Sequence, residues 1–289
     1  VRITRRALAP LALAAAALPA QAASPPWIDA HTHAFVRGLK LAVDARYAPT
    51  YDASWETLLK LAEANGVGRT VLLQPSFLGY DNSYLFGALK AEPHRFRGVP
   101  WVSPSIETRP EEWEEMARIG VRGLRFPILG LPTPQWSAYR EMFAEALKRD
   151  WPIHLYVESR RLPEMLPFLL DAGHKVVIPH YGMFDRTLGP ARDPGFKVLL
   201  ESARTGRVFV VMCGAYRVGP ERARMAAPML LDAFGPERLM WGSDWPHTDT
   251  DLNRVTTYPI TLRTFEDWVP DEAARRTILV DTPTRLYGF

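Results

Sequence analysis

Four residues of this chain, His31, His33, His180 and Asp244, stand where short apolar runs end, and together they suit one kind of chemistry. Neutral imidazoles can ligate a metal ion or polarise a carbonyl, and a carboxylate can take a proton from water, so the set points to hydrolysis. His31 and His33 close the run Ile28-Asp29-Ala30, where a spacing of two in an extended chain turns both rings to one side. His180 closes Val176-Val177-Ile178-Pro179, and Asp244 closes Met240-Trp241-Gly242-Ser243. A lone His-x-His pair arises by chance in many strands. Four such residues at the ends of three separate runs are much harder to obtain that way.

The elements that must carry them are visible as eight short, β-branched apolar runs: residues 27–30, 70–74, 96–102, 123–126, 152–157, 175–179, 208–212 and 238–242. Runs of this length, separated by helix-length stretches, indicate an α/β chain with a parallel sheet buried on both faces. Eight of them predict a closed (β/α)8 TIM barrel, whose chemistry sits at the C-terminal ends of the strands. Helices are predicted over 54–65, ended by Gly66, and over 135–149 and 220–234. No linker, repeat or low-complexity tract follows residue 26, so a single domain over 23–289 is expected.

The first 22 residues read differently, with Arg2, Arg5 and Arg6 ahead of an alanine-rich apolar run that ends in Ala20-Gln21-Ala22. This pattern predicts a cleavable signal peptide over 1–22, hence an exported, periplasmic or secreted protein. The run is broken by Pro10 and Pro19 and is shorter than the ~20 residues a spanning helix needs, so no stable membrane insertion is expected. Arg5-Arg6 resembles the pair of a twin-arginine (Tat) leader. Removing the three leader arginines leaves 32 basic against 32 acidic residues, and no long Lys/Arg run remains to suggest nucleic acid. The single cysteine, Cys213, cannot form an internal disulfide and reads as a small core residue.

Several longer motifs carry a family resemblance: Ile-Asp-Ala-His-Thr-His at 28–33, Gln-Pro-Ser at 74–76 with Asp81-Asn82, and Gly-Val-Arg-Gly-Leu-Arg-Phe at 120–126. Gly-Ala-Tyr-Arg at 214–217, Trp-Gly-Ser-Asp-Trp-Pro-His at 241–247 and the terminal Arg-Leu-Tyr-Gly-Phe complete the set. The chain resembles the amidohydrolase-2 family, in particular its 2-pyrone-4,6-dicarboxylate lactonase branch, over essentially all of residues 27–289. The resemblance implies a (β/α)8 barrel that opens a lactone with water and needs no metal. Asp244 would activate the water while His31, His33 and His180 stabilise the carbonyl oxygen. It also implies that Arg125 and Arg217 hold acid groups of the substrate through paired hydrogen bonds, with Tyr47 and Tyr156 as hydroxyl contacts. The partner expected is therefore a small acidic lactone.

The chain departs from the family pattern at specific places. A second arginine expected soon after strand four is absent from 128–132, Pro127 replaces an asparagine, Pro179 an aspartate and Val211 a lysine. Those losses point away from the pyrone dicarboxylate itself as substrate. Arg125 also stands where a binuclear metal site would need a bridging ligand, and an arginine repels a cation. One divalent ion such as Zn2+ or Mn2+, held by His31, His33 and Asp244 with His180 or His154, is the alternative cofactor reading. It goes with a metal-dependent decarboxylase or hydratase. A non-catalytic exported binding protein is the third reading, and the intact polar quartet argues against it.

Overall fold

The computed structural model describes residues 26–248 and 255–289. The expected leader over 1–22 lies outside the described residues, among which no helix is long and apolar enough to cross a membrane. Eight strands form where the apolar runs predict them: β1 (Trp27–Thr32), β2 (Val67–Leu73), β3 (Phe96–Val99), β4 (Leu124–Pro127), β5 (Ile153–Tyr156), β6 (Val176–Ile178), β7 (Val208–Met212) and β8 (Leu239–Trp241). All pair in parallel with their sequence neighbours, as β1-β2-β3 and β4-β5-β6-β7-β8.

Backbone hydrogen bonds close the two seams between these groups. Gly98 N donates to Gly120 O at 3.0 Å and Arg125 N to Pro100 O at 2.8 Å, which joins β3 to β4. Asp244 N donates to His31 O at 2.9 Å and His33 N to Trp245 O at 2.8 Å, which joins the end of β8 to β1. The second seam is the more informative, since it brings two predicted site segments 211 residues apart onto one backbone ladder.

Helices follow the strands in order: α1 (Trp55–Glu63), α2 (Ser83–Ala91), α3 (Pro110–Ile119), α4 (Arg140–Lys148), α5 (Leu162–Asp171), α6 (Pro194–Ser202), the short α7 (Ala215–Val218), α8 (Pro220–Phe234) and α9 (Tyr258–Trp268). Local signals set their ends. Ser54 caps α1 by accepting from Thr57 N, and Gly66 turns the chain away at φ +77°, a conformation that favours glycine. The predicted helix over 135–149 forms as a 3-10 turn over Trp136–Tyr139 followed by α4, whereas α8 matches its expected span.

Two apolar layers result. Outward-facing strand residues such as Val208, Val210 and Met212 pack on the helices, while Ala30, Val71, Leu73, Val99, Val177, Phe209, Val211 and Met240 fill the barrel. Leu286 and Tyr287, from the last helix α11 (Thr282–Tyr287) after α10 (Glu272–Arg276), plug the interior from the far end. The Tyr287 hydroxyl lies 3.1 Å from His154 Nε2. His154, considered above as a fourth metal ligand, is thus a packed barrel residue bonded to the plug.

Candidate active site

Asp244 is fully buried at the mouth of the barrel, and each of its oxygens has a distinct environment. Oδ2 accepts from Arg217 Nε at 2.8 Å and from the Tyr216 hydroxyl at 2.7 Å. Oδ1 has no hydrogen-bond partner among the described residues and faces His31 Nε2 and His33 Nε2, each 3.7 Å away. The edges of His31, His33 and His180 converge here, with ring centroids 5.2 Å apart for the first pair and 4.9 Å for His31 and His180. The structure therefore brings the four expected residues into one cluster. Asp244, His180 and His247 all take positive φ, so these side chains are aimed by tight left-handed turns at the strand ends.

Gly214 makes that convergence possible. A Cβ on it would sit 2.7 Å from His180 Nδ1 and 2.8 Å from Asp244 Oδ2, and its φ of +58° disfavours any side chain. The chain leaving β7 must pass this close for α7 to swing Tyr216 and Arg217 onto the carboxylate.

The His33 ring has a fixed proton. Its Nδ1 lies 2.8 Å from Leu73 O, and a carbonyl can only accept, so Nδ1 carries the hydrogen and a neutral ring turns its Nε2 lone pair toward Asp244 Oδ1. This differs from the expectation that His33 donates to a carbonyl oxygen. Two acceptors facing each other across 3.7 Å call for a shared partner between them: a water donating to both, or a cation. One ligand atom from each of His31, His33 and Asp244 lies within 4.8 Å of the others, so the donor set fits a single divalent ion. A metal site is therefore available among the residues expected to supply it.

Charge weighs on the other side. Burial would raise the Asp244 carboxyl, but the Arg217 guanidinium and the surrounding imidazoles overcome it and hold the group well below the usual carboxylate range. Burial pushes His33 and His180 down to about 3, helped by the positive field of Arg125 at both, and His31 also lies well below its ordinary value. The rings are neutral, so among the described residues buried Arg125 and largely buried Arg217 against Asp244 leave one net positive charge before any metal is added.

The remaining expected residues line one pocket over this cluster, where Arg125, Arg217, Tyr47 and Tyr156 meet His33 and His180. Arg125 Nη1 donates to Gln74 O and its Nε has no partner among the described residues, which leaves a buried guanidinium without an anion among them. Arg217, expected to bind a substrate carboxylate, lines this pocket too, and its Nε donates to the protein's own Asp244 while its Nη2 donates to Thr248 O at 3.0 Å. Tyr156 stands edge-on to His180 with centroids 4.9 Å apart, and half-buried Tyr47 leans on Phe77.

Sequence reasoning passed over Tyr216, Cys213, Asp29 and Arg46. Tyr216 belongs to the quoted Gly-Ala-Tyr-Arg motif, which was the available signal. Cys213, read as a core residue, has its sulfur 3.1 Å from His180 Nδ1. Arg46 lines the pocket from an irregular loop with no pattern to flag it. Buried Asp29 fastens the β8–β1 seam, its Oδ1 accepting from Ser243 N at 2.9 Å and His31 N at 3.2 Å.

These titrations have a stability consequence. Unfolded histidines take protons below about pH 6.5, but the folded rings refuse them until about pH 3 at His33 and His180. Stability is therefore lost as pH falls through that window, on the order of 1.4 kcal/mol per pH unit for each ring. Asp29 acts oppositely: burial pushes it up to about 7, so its contribution is lost as pH rises from 3.8 to 7. Three rings outweigh one carboxyl. The urea midpoint should fall between pH 7 and pH 5, and more steeply in Asp29→Asn, which lacks the opposing titration. A flat wild-type profile would contradict neutral buried imidazoles.

A parallel barrel with a strand-one His-x-His, a strand-six histidine and a strand-eight aspartate defines a class of enzymes, and comparison agrees. A family model described as Amidohydrolase matches residues 28–289, and the chain belongs to that family as a hydrolase. The 4-sulfomuconolactone hydrolase of Rhizobium radiobacter is 29% identical over 270 residues, covering 90% of this chain and 89% of the relative. The 2-pyrone-4,6-dicarboxylate hydrolase of Comamonas testosteroni is 29% identical over 284 residues, with coverage of 90% and 89%. A solved structure from Pseudomonas putida, assigned as a 2-pyrone-4,6-dicarboxylic acid hydrolase, is 37% identical with a TM-score of 0.83, covering 91% of this chain and 97% of that one. The branch expected from the motifs is therefore the one found.

Proposed function

We propose that this protein opens a lactone or related cyclic ester bearing an acid group, using water activated by Asp244. The observation that carries the reading is Oδ1 of Asp244, unpartnered among the described residues, facing the His33 Nε2 lone pair beside a buried arginine that has no anion among them. A water between those two acceptors would give a hydrogen to each, which turns its own lone pair toward an incoming carbonyl carbon. Asp244 takes the proton as the bond forms and returns it to the leaving ring oxygen. Arg125 holds the acid group with Tyr47 and Tyr156 beside it, and His180 donates to the carbonyl oxygen as charge gathers there. Support comes from the two named relatives, whose substrates are acidic lactones.

His31, His33 and Asp244 would hold the divalent ion if one is bound, and it would supply Lewis-acid polarisation of the carbonyl. The net positive charge already buried there favours the metal-free form. The test is a panel of acidic and neutral lactones assayed by acid release, before and after exhaustive chelation and after adding Zn2+ or Mn2+. Acidic lactones should be opened, and activity should survive chelation. Loss on chelation with full recovery on metal addition would establish the metal-dependent form. If no lactone were opened and an aromatic acid lost CO2 in a metal-dependent way, the decarboxylase reading would replace this one.

A further inference from the structure

Cys213 and His180 lie 33 residues apart and meet only because β6 and β7 are neighbours in the barrel. Both are fully buried. The Cys213 sulfur lies 3.4 Å from the His180 backbone N–H, which donates to it, and 3.1 Å from Nδ1 of the same residue. With a sulfur lone pair engaged by the amide, the thiol proton is what remains to fill the second contact. A cysteine thiol ordinarily titrates at about 8.5, so it keeps that proton at neutral pH.

We infer that Cys213 is a positioning residue: its S–H donates to His180 Nδ1, fixes the imidazole as the Nε2–H tautomer, and so makes the ring a donor toward the pocket. The opposite tautomer would give Nδ1–H to the sulfur and strand the thiol proton, since the described residues offer the sulfur no second acceptor. It would also present a lone pair, which repels a carbonyl oxygen. The rest of the ring's cage agrees with a fixed orientation. Tyr156 and His31 stand edge-on to it, each at a centroid distance of 4.9 Å. Gly214 leaves no space for another group at Nδ1, where a Cβ would sit at 2.7 Å. The use of the Nε2–H donor rests on the hydrolase reading above, whereas the tautomer does not.

Long-range 1H–15N NMR of the whole protein labelled with 15N-histidine reports the tautomer directly, and the spectrum of His180→Gln assigns the His180 signals. Wild type should show Nδ1 bare and Nε2 protonated. C213A should show a mixture of tautomers and lose about tenfold in kcat on the preferred lactone, with KM little changed. C213S restores a donor of similar reach and should recover the single tautomer and most of the lost kcat. A wild-type spectrum with Nδ1 protonated overturns the inference, and so does a C213A protein that keeps both a single Nε2–H tautomer and wild-type kcat. Should C213A fail to fold, the wild-type and C213S spectra still decide the tautomer. Failure to open any lactone would sink the proposed function and leave that spectrum unaffected.

Discussion

Asp244→Asn should lower kcat by a factor on the order of 100 or more while leaving the barrel folded. Asparagine keeps the size of the side chain and an oxygen able to accept from Arg217 and Tyr216, which now bind Oδ2 at 2.8 Å and 2.7 Å. What disappears is the carboxylate charge, and with it the proton acceptor facing His33. The wild-type carboxyl is unusually acidic, so it stays ionised through the working pH range but is a weak base by itself. On the proposed mechanism its effectiveness comes from placement, with a water held between two acceptors, and from a substrate anion that offsets the field of Arg125. A variant retaining more than about a tenth of wild-type kcat would remove Asp244 from the base role. Circular dichroism on the same sample separates lost chemistry from lost fold.

Much of this site could be read from sequence because a parallel barrel puts chemistry at strand ends. Once eight runs are counted, His31, His33, His180 and Asp244 become neighbours by topology alone. The roles were harder to read than the membership. The His33 tautomer depends on Leu73 O across the β1–β2 pair, and Arg217 finds Asp244 only because Gly214 lets α7 fold back over the barrel mouth. Cys213 shows the limit most clearly. An apolar run looks the same whether its last residue packs against a helix or touches an imidazole of the candidate site, since sequence period reports the face a residue is on and not its neighbour across the strand.

Arg217 and Arg125 were indistinguishable in the sequence, yet their replacement by Met should give opposite results. Arg217 is the counter-charge of a fully buried carboxylate. Removing it leaves that charge uncompensated, at a cost of about 3 kcal/mol or more in stability. It also frees burial to raise the Asp244 carboxyl, so the acid limb of kcat/KM should move to higher pH and kcat should fall. Arg125 has no anionic partner in the described residues, and burial pushes its own pKa down to about 10, the mark of a cation held at a cost. Arg125→Met should therefore melt at or above the wild-type temperature. Its KM for acidic lactones should rise by about 2 kcal/mol, or roughly 30-fold, while neutral lactones are little affected. Thermal melts and pH profiles of the two variants make the comparison. If Arg217→Met kept wild-type stability and an unmoved acid limb while raising only KM, Arg217 would be a substrate ligand after all. If Arg125→Met left KM for acidic lactones unchanged, the buried guanidinium would have no anion to bind and the acidic substrate class would fall with it.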